Sequence, residues 1–188
     1  MDETTPKAAA AALADAARAA LQCVAAAEVL NSGAAQGFPS TLIIVPSKAL
    51  QSRFLLLRRA DRTPYLQLDV SVEYAVVASP GQSNRPRFRA EIVRYFYGVQ
   101  DLSGRELFAY HWHPSGMSPV LTPHLHVSSA SPITLPPRKS DSDPTELLLN
   151  RLHFPTHRID LTELARFLIT EVGVGPRRPD WEQVLEQR

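Results

Sequence analysis

The spacing of hydrophobic and polar positions changes near residue 41 from a helical pattern to a strand-like alternation. In the first part, apolar residues recur every three or four positions, as on one face of a helix. These residues are Leu13, Ala17, Leu21 and Val24, with Leu30 near the end of the run. Thr5-Pro6 is typical of a helix start and Asn31-Ser32-Gly33 of a helix end. The pattern therefore predicts one long, alanine-rich helix from Lys7 to about Leu30 within residues 1–33.

Residues 41–128 contain several segments typical of β-strands. The segment YLQLDVSVEYAVVA, residues 65–78, alternates apolar and polar residues, which predicts a strand with one face in the core. The other strand-like segments are TLIIVPS, RFLLLRR, RFRAEIVRYFYGV, ELFAYHWH and PHLHV. Turn-forming stretches separate them. We expect an antiparallel meander of about five strands.

The last third of the chain is predicted to be a loop followed by helices. Residues 129–145 are rich in Ser and Pro and are predicted to be a loop. Asp143-Pro144-Thr145-Glu146 predicts a short helix through about Leu152, and Asp160-Leu161-Thr162-Glu163 and Asp180-Trp181-Glu182-Gln183 predict two more. We therefore expect a single α+β domain over residues 1–188. Its parts are a long N-terminal helix (1–33), the sheet (41–128), the loop (129–145) and C-terminal helices (146–188).

The composition indicates the cellular compartment of the protein more clearly than it indicates a reaction. The net charge of +1 over 188 residues gives no electrostatic case for nucleic acid or membrane as a partner of the whole chain. A single cysteine, Cys23, excludes a disulfide framework within the chain and suits a reducing compartment. Asp15 and Arg18 interrupt the alanine-rich run, so it fits neither a signal peptide nor a membrane span. We expect a cytoplasmic protein without a membrane partner.

Four of the six histidines lie in FAYHWHPSGMSPVLTPHLHV, residues 108–127, as two His-x-His pairs. Residues i and i+2 of a strand share a face, so His111 and His113 point together, and so do His124 and His126. Phe108, Tyr110 and Trp112 then point to the opposite face and toward the core. If the two strands pair, four imidazoles meet on one face. The remaining two, His153 and His157, lie around a turn, where His157 either turns toward the sheet or stays a loop residue.

Three interpretations of this histidine pattern compete. The imidazoles can bind Zn or Mn with a carboxylate from Glu91 or Glu73, which gives a metal-dependent hydrolase. They can act as acid and base in metal-independent cleavage of RNA. In that case nearby arginines would hold phosphates; the candidates are Arg85, Arg87, Arg89 and Arg94. In the third interpretation the chain is a non-catalytic module that binds a protein partner, and the histidines are incidental.

The order FAYHWHP, TPHLHV and C-terminal helix, within residues 87–170, resembles the TumE-type toxins of bacterial toxin–antitoxin pairs. Here His-Trp-His replaces the acidic and asparagine-containing stretch of that family. The resemblance implies a growth-inhibiting protein that acts on RNA and is neutralised by a cognate antitoxin. The resemblance implies that His124 and His126, together with His111 and His113, form the centre of the active site. We therefore interpret the chain as a toxin-like ribonuclease, with the binding module and the metal-dependent hydrolase as alternatives.

Overall fold

The computed structural model describes residues 3–33, 39–47, 53–79, 87–115, 120–128, 133–135, 145–147, 149 and 152–186. The helices in this part of the chain are α1 (Pro6–Gln22), α2 (Leu161–Thr170) and α3 (Trp181–Glu186). The first strands are β1 (Ala27–Asn31), β2 (Pro39–Pro46), β3 (Leu55–Arg58), β4 (Pro64–Ser79) and β5 (Arg87–Asp101). The later ones are β6 (Glu106–Trp112), β7 (His124–Val127), β8 (Ile133–Leu135), β9 (Thr145–Leu147) and β10 (Phe154–Pro155). The α+β class predicted from the sequence is confirmed.

Eight of the described strands form one antiparallel sheet in the order β1-β2-β4-β5-β6-β7-β10, with β3 also paired to β4. The prediction of about five strands was too low. Two strands lie outside the six strand-like segments of the sequence, because β1 falls within the predicted N-terminal helix and β10 has only two residues. The central strands β4 and β5 pair along nearly their whole length, from Leu66 opposite Asp101 to Ser79 opposite Arg87. Every other element of the sheet is placed relative to this long pair.

Helix α1 begins as predicted but ends eight residues earlier than expected. Pro6 is its first residue, and the Thr5 hydroxyl accepts a hydrogen bond from the Ala8 amide at 3.1 Å. The buried face of α1 consists of alanines and Leu21, so the helix packs closely. It stops at Gln22, and Ala27–Asn31 forms β1 instead, paired with β2. Pairing between distant segments outweighs the helical preference of the local Ala-rich sequence.

The helices cover one face of the large sheet, called here the covered face. Leu66, Leu68, Val70, Val72, Tyr74 and Val76 of β4 are all buried on it, as the alternation predicted. Helix α1 contacts β1, β4 and β5, and the Phe167 ring of α2 packs edge-on to Phe108 and Tyr110 of β6. Residues of alternate parity point to the other face, called here the histidine face.

The C-terminal predictions are confirmed for two helices and wrong for one. Asp160 accepts from the Glu163 amide at 2.8 Å, and the Glu163 side chain accepts from the Asp160 amide at 3.0 Å, which is the predicted capping box. Helix α3 also lies where expected. The helix predicted from Asp143 to about Leu152 is wrong, because residues 145–147 form β9 and pair with β8. Strand β8 lies in the segment predicted to be a loop, so this pairing overrides the local helix-start signal.

Among the described residues, α1 is the longest helix, and none is both long and apolar enough to cross a membrane.

Candidate metal centre

Strands β6 and β7 pair so that both histidine pairs lie on the histidine face. His111 is directly opposite His124, and Ala109 is directly opposite His126. Tyr110 and Trp112 are buried on the covered face, 9% and 6% exposed, as the sequence pattern predicted. The predicted meeting of the imidazoles on one face is therefore confirmed, and its cause is the pleat of two paired strands.

Three of these imidazoles are close enough to share a ligand. His111, His124 and His126 each offer a ring nitrogen, and these three atoms lie within 4.8 Å of one another. The ring centroids are 4.7 Å apart for His111 and His126, 5.0 Å for His124 and His126, and 5.6 Å for His111 and His124. We call these three residues the imidazole triad.

A further histidine, His153, joins the cluster, and sequence reasoning did not assign it. Its ring lies 4.4 Å from that of His126 and 4.9 Å from that of His124. The short strand β10 brings it there, because Phe154 pairs with Leu125 and Pro155 with His124. A two-residue strand has no local sequence pattern, so the sequence did not predict that His153 would reach the cluster. His157 instead hydrogen bonds to Glu163 at 3.1 Å and is not in ring contact with the triad.

The tautomer of His124 is set by a backbone carbonyl. Its Nδ1 lies 2.7 Å from the carbonyl oxygen of Thr122, and the side chain is only 3% exposed. A carbonyl oxygen only accepts hydrogen bonds, so Nδ1 must carry the proton. Nε2 of the neutral ring then holds the free lone pair. A backbone carbonyl on the far nitrogen is the usual support of a metal-binding histidine.

His113 is held in the other tautomer by an arginine. The Arg94 Nε–H group donates to His113 Nδ1 at 2.7 Å, and Arg94 Nη1 donates to Glu73 Oε1 at 3.1 Å. Because Nδ1 accepts here, the proton of the neutral ring is on Nε2. The His113 ring is 5.6 Å from the His111 ring. His113 therefore borders the triad with a fixed orientation, and its Nδ1 is already in use.

Burial and neighbouring imidazoles keep His111 neutral. Burial lowers the pKa of His111 to about 4, helped by repulsion from His126, His113, His124 and His153. The pKa of His113 is also lowered, mainly by burial and then by the Arg94 charge. Both rings are thus neutral near pH 7. A neutral imidazole is the form that binds metals.

Phe96 and Gly98 build one wall of the cluster. Phe96 pairs with His111 across the β5–β6 ladder, and their rings meet edge-on with centroids 4.7 Å apart. A Cβ at Gly98 would lie 2.7 Å from the nearest atom of the Phe96 ring. The ring therefore lies over Gly98, which has no side chain to displace it. This gives His111 an apolar neighbour and adds to its burial.

The other predicted site residues are distributed unevenly. Arg94 and Glu73 lie beside the cluster through His113, as described above. Arg89 forms an ion pair with Glu91, seven and five positions before Phe96 on β5. At about 3.3 Å per residue, Arg89 is roughly 20 Å along the strand from the imidazoles, and Arg87 is farther. The structure does not bring Glu91, Arg87 or Arg89 to the triad, and Arg85 lies outside the described residues.

A separate cleft of about 430 Å³ lies at the edge where β6 ends and β5 continues. Ile92, Tyr95 and Trp112 of the covered face contribute to its lining. The Arg158 guanidinium lies 3.8 Å from the centre of the Trp112 ring and partly closes the cleft. The triad does not line this cleft, whereas Arg89 and Glu91 do.

The arrangement at the histidine face is a group of adjacent imidazoles in which His111 and His113 have lowered pKa values and hydrogen bonds orient His113 and His124. The chain matches no protein-family model, no curated protein and no solved structure. Chemically, the triad can bind a divalent transition metal, or a neutral imidazole in it can accept a proton.

Proposed function

We propose that this protein is a metal-dependent hydrolase whose divalent ion is held by His111, His124 and His126. The observation that carries the proposal is the convergence of three imidazole nitrogens within 4.8 Å. Around a zinc ion with bonds of 2.0–2.1 Å, tetrahedral ligand atoms lie roughly 3.4 Å apart. The rings therefore need to close by only about 1.5 Å when the ion binds.

The low pKa of His111 supports binding of a metal ion at this site over binding of additional protons. A site crowded with imidazoles repels additional protons, which is the second cause of the low pKa of His111. Its lone pair is thus available at neutral pH. The Thr122 carbonyl takes up Nδ1 of His124, so Nε2 is the ring nitrogen that points to a metal. A divalent cation is stabilised by these lone pairs without displacing a proton from His111.

The donor set favours zinc over manganese. Among the described residues, the group of potential ligands contains imidazoles and no carboxylate. Imidazole suits zinc, copper, iron and nickel, whereas manganese prefers carboxylate, carbonyl and water oxygens. We therefore propose zinc as the ion that this centre selects among the two predicted from the sequence.

Three protein ligands are the usual number for a catalytic zinc, because the fourth position stays open. A zinc ion held by His111, His124 and His126 would supply a water-derived nucleophile at neutral pH. The chain contributes the three imidazole ligands and the partly buried apolar wall formed by Phe96. Hydrolysis of an ester is the reaction class that these parts support.

Metal-independent cleavage of RNA, with a cognate antitoxin as partner, remains a second proposal that rests on the resemblance to TumE-type toxins. It requires one neutral and one protonated imidazole. The low pKa of His111 keeps its ring neutral, which is the protonation state that a base requires. Of the arginines predicted to hold phosphate, Arg94 lies beside the cluster, where it hydrogen bonds to His113 and forms an ion pair with Glu73. A ribonuclease activity that persists in EDTA would favour this second proposal.

Metal content tests the first proposal directly. The wild-type protein, stripped with EDTA and dialysed against zinc, is expected to retain about one equivalent, measured by atomic emission. His126→Ala should lose most of it, since a metal bound by three ligands seldom survives on two. His157→Ala, which removes a histidine outside the cluster, is the matched control and should bind zinc like the wild type.

Activity is then measured on simple phosphate and carboxylate esters. We expect EDTA to abolish hydrolysis, zinc to restore it, and His126→Ala to lose it. Equal zinc retention by the wild type and His126→Ala, or hydrolysis that EDTA does not inhibit, would contradict the proposal.

A further inference from the structure

We infer that the metal centre takes an anionic oxygen group, a phosphoryl or carboxylate oxygen, at its open position, and that the Nε2–H of His113 donates a hydrogen bond to it. This inference rests on the proposed metal centre and names the class of ligand that it accepts. It is carried by two observations that are independent of each other, the charge of the donor set and the tautomer of His113.

The first observation concerns charge. Three neutral imidazoles leave both charges of a divalent ion uncompensated, since the described ligand group includes no carboxylate. The carboxylate of Glu73 is nearby, but it forms an ion pair with the Arg94 guanidinium at 3.1 Å. The two cancel each other and leave the net charge at the metal unchanged. An anionic ligand supplies the charge that the protein itself does not.

The second observation concerns the direction of the hydrogen bond at the rim. Arg94 donates to Nδ1 of His113 at 2.7 Å, so the neutral ring carries its proton on Nε2. Arg94 reaches the ring from β5, on the side away from β7. Nε2–H is therefore the ring nitrogen that Arg94 leaves available beside His111, and it is a donor. A donor beside an open metal position favours an oxygen that accepts, as anionic oxygens do.

Three adjacent strands fix this arrangement. Glu73 on β4 pairs with Arg94 on β5, and His113 follows directly after β6. The three side chains form one hydrogen-bonded chain across the histidine face. His113 would contact the ligand, whereas Arg94 is a positioning residue that acts through His113. Removal of either should weaken anion binding while the three metal ligands stay intact.

The test uses the full chain loaded with Co²⁺, whose visible absorption reports the coordination of the ion. Inorganic phosphate is titrated in one arm and acetate in the other, and the affinity of each probe is read from the spectral change. We expect His113→Leu and Arg94→Met to weaken anion binding at least about tenfold, as expected for a lost hydrogen bond to a charged group. His113→Gln keeps an N–H donor and should stay within about threefold of the wild type. His157→Leu is the matched control and should not change binding.

The outcomes separate this inference from the proposed function. A wild-type protein that binds cobalt but responds to neither phosphate nor acetate overturns the inference and leaves the metal centre standing. Equal anion affinity in the wild type and His113→Leu also overturns it. A wild-type protein that binds no cobalt overturns both. Weakened anion binding with unchanged cobalt affinity in His113→Leu, rescued by His113→Gln, supports the inference, and the stronger arm identifies phosphoryl or carboxylate.

Discussion

Rings on the two faces of the sheet have different roles. Aromatic rings pack the core on the covered face, and imidazole rings form a candidate binding site on the histidine face. On the covered face, Tyr95 and Tyr97 stack with ring centroids 4.6 Å apart and planes 8° from parallel, and Trp112 packs beside Tyr95. On the histidine face, His111 and its neighbours meet at similar distances but mostly at steep angles. Consecutive residues of one strand, Tyr110, His111 and Trp112, thus serve a core and a site in turn.

This difference shows what burial by helices does to a ring. The covered face excludes water and gains from stacking and apolar contact. On the histidine face the rings carry polar atoms, and hydrogen bonds orient two of them: Thr122 orients His124, and Arg94 orients His113. Stability should therefore depend on the covered face, and ligand binding on the other. Substitutions on the two faces can test this division between stability and ligand binding.

The largest expected effect is on the covered face. Trp112→Ala removes a ring that is 6% exposed and contacts Tyr95 and Arg158. We expect the free energy of unfolding to fall by about 3–5 kcal/mol. His153→Ala, which removes an exposed ring of the cluster, should change it by less than about 0.5 kcal/mol in the metal-free protein. Urea denaturation in EDTA measures both, and similar losses in the two variants would refute the division.

The sequence predicted those features that depend on alternation and capping. The α+β class, the buried positions of β4, the capping box of α2 and the shared face of the histidine pairs all follow from patterns within a single element. In each, the local preference agrees with the final packing. The imidazole triad was predictable for the same reason, since two His-x-His strands joined by one loop pair as neighbours.

Features that depend on pairing between distant segments were not predictable. Strand β1 has a helical sequence and becomes a strand because β2 pairs with it. His153 enters the cluster because two residues after it pair with β7. Arg87 and Arg89 differ in parity from Arg94, and they reach the histidine face only because the β4–β5 register shifts between Glu73 and Tyr74, which no sequence pattern indicates. They lie where β6 has already ended, beyond reach of the triad.

A smaller effect, on the histidine face, is expected from pH. The folded pKa of His111 is lowered to about 4 from 6.5, so below pH 6.5 the unfolded chain binds a proton that the folded protein does not. Stability contributed by this ring is complete above pH 6.5 and is lost as the pH falls toward 4. Because the ring is partly exposed and solvent screens it, we expect a loss on the order of 2 kcal/mol.

Urea midpoints of the metal-free protein between pH 7 and pH 4.5 measure this loss. His111→Gln removes the titrating ring and should flatten the pH dependence relative to the wild type. Groups that do not interact with His111, such as Glu106, whose pKa burial raises, contribute equally to both proteins and cancel in the comparison. Parallel curves for the wild type and His111→Gln would show that His111 is not held neutral in the folded protein.

The smallest effect distinguishes two stacked tyrosines within the covered face. The Tyr95 hydroxyl accepts a hydrogen bond from the Ile159 amide at 3.2 Å, whereas that of Tyr97 is buried without a partner among the described residues. Tyr95→Phe leaves the Ile159 amide unpaired and should cost about 1 kcal/mol. Tyr97→Phe removes only an unpaired polar group and should be neutral or stabilising by up to about 1 kcal/mol. Urea denaturation of the two variants gives both values. A larger loss for Tyr97→Phe than for Tyr95→Phe would mean that the Tyr97 hydroxyl is bonded, and that the covered face is less dry than its stacked rings indicate.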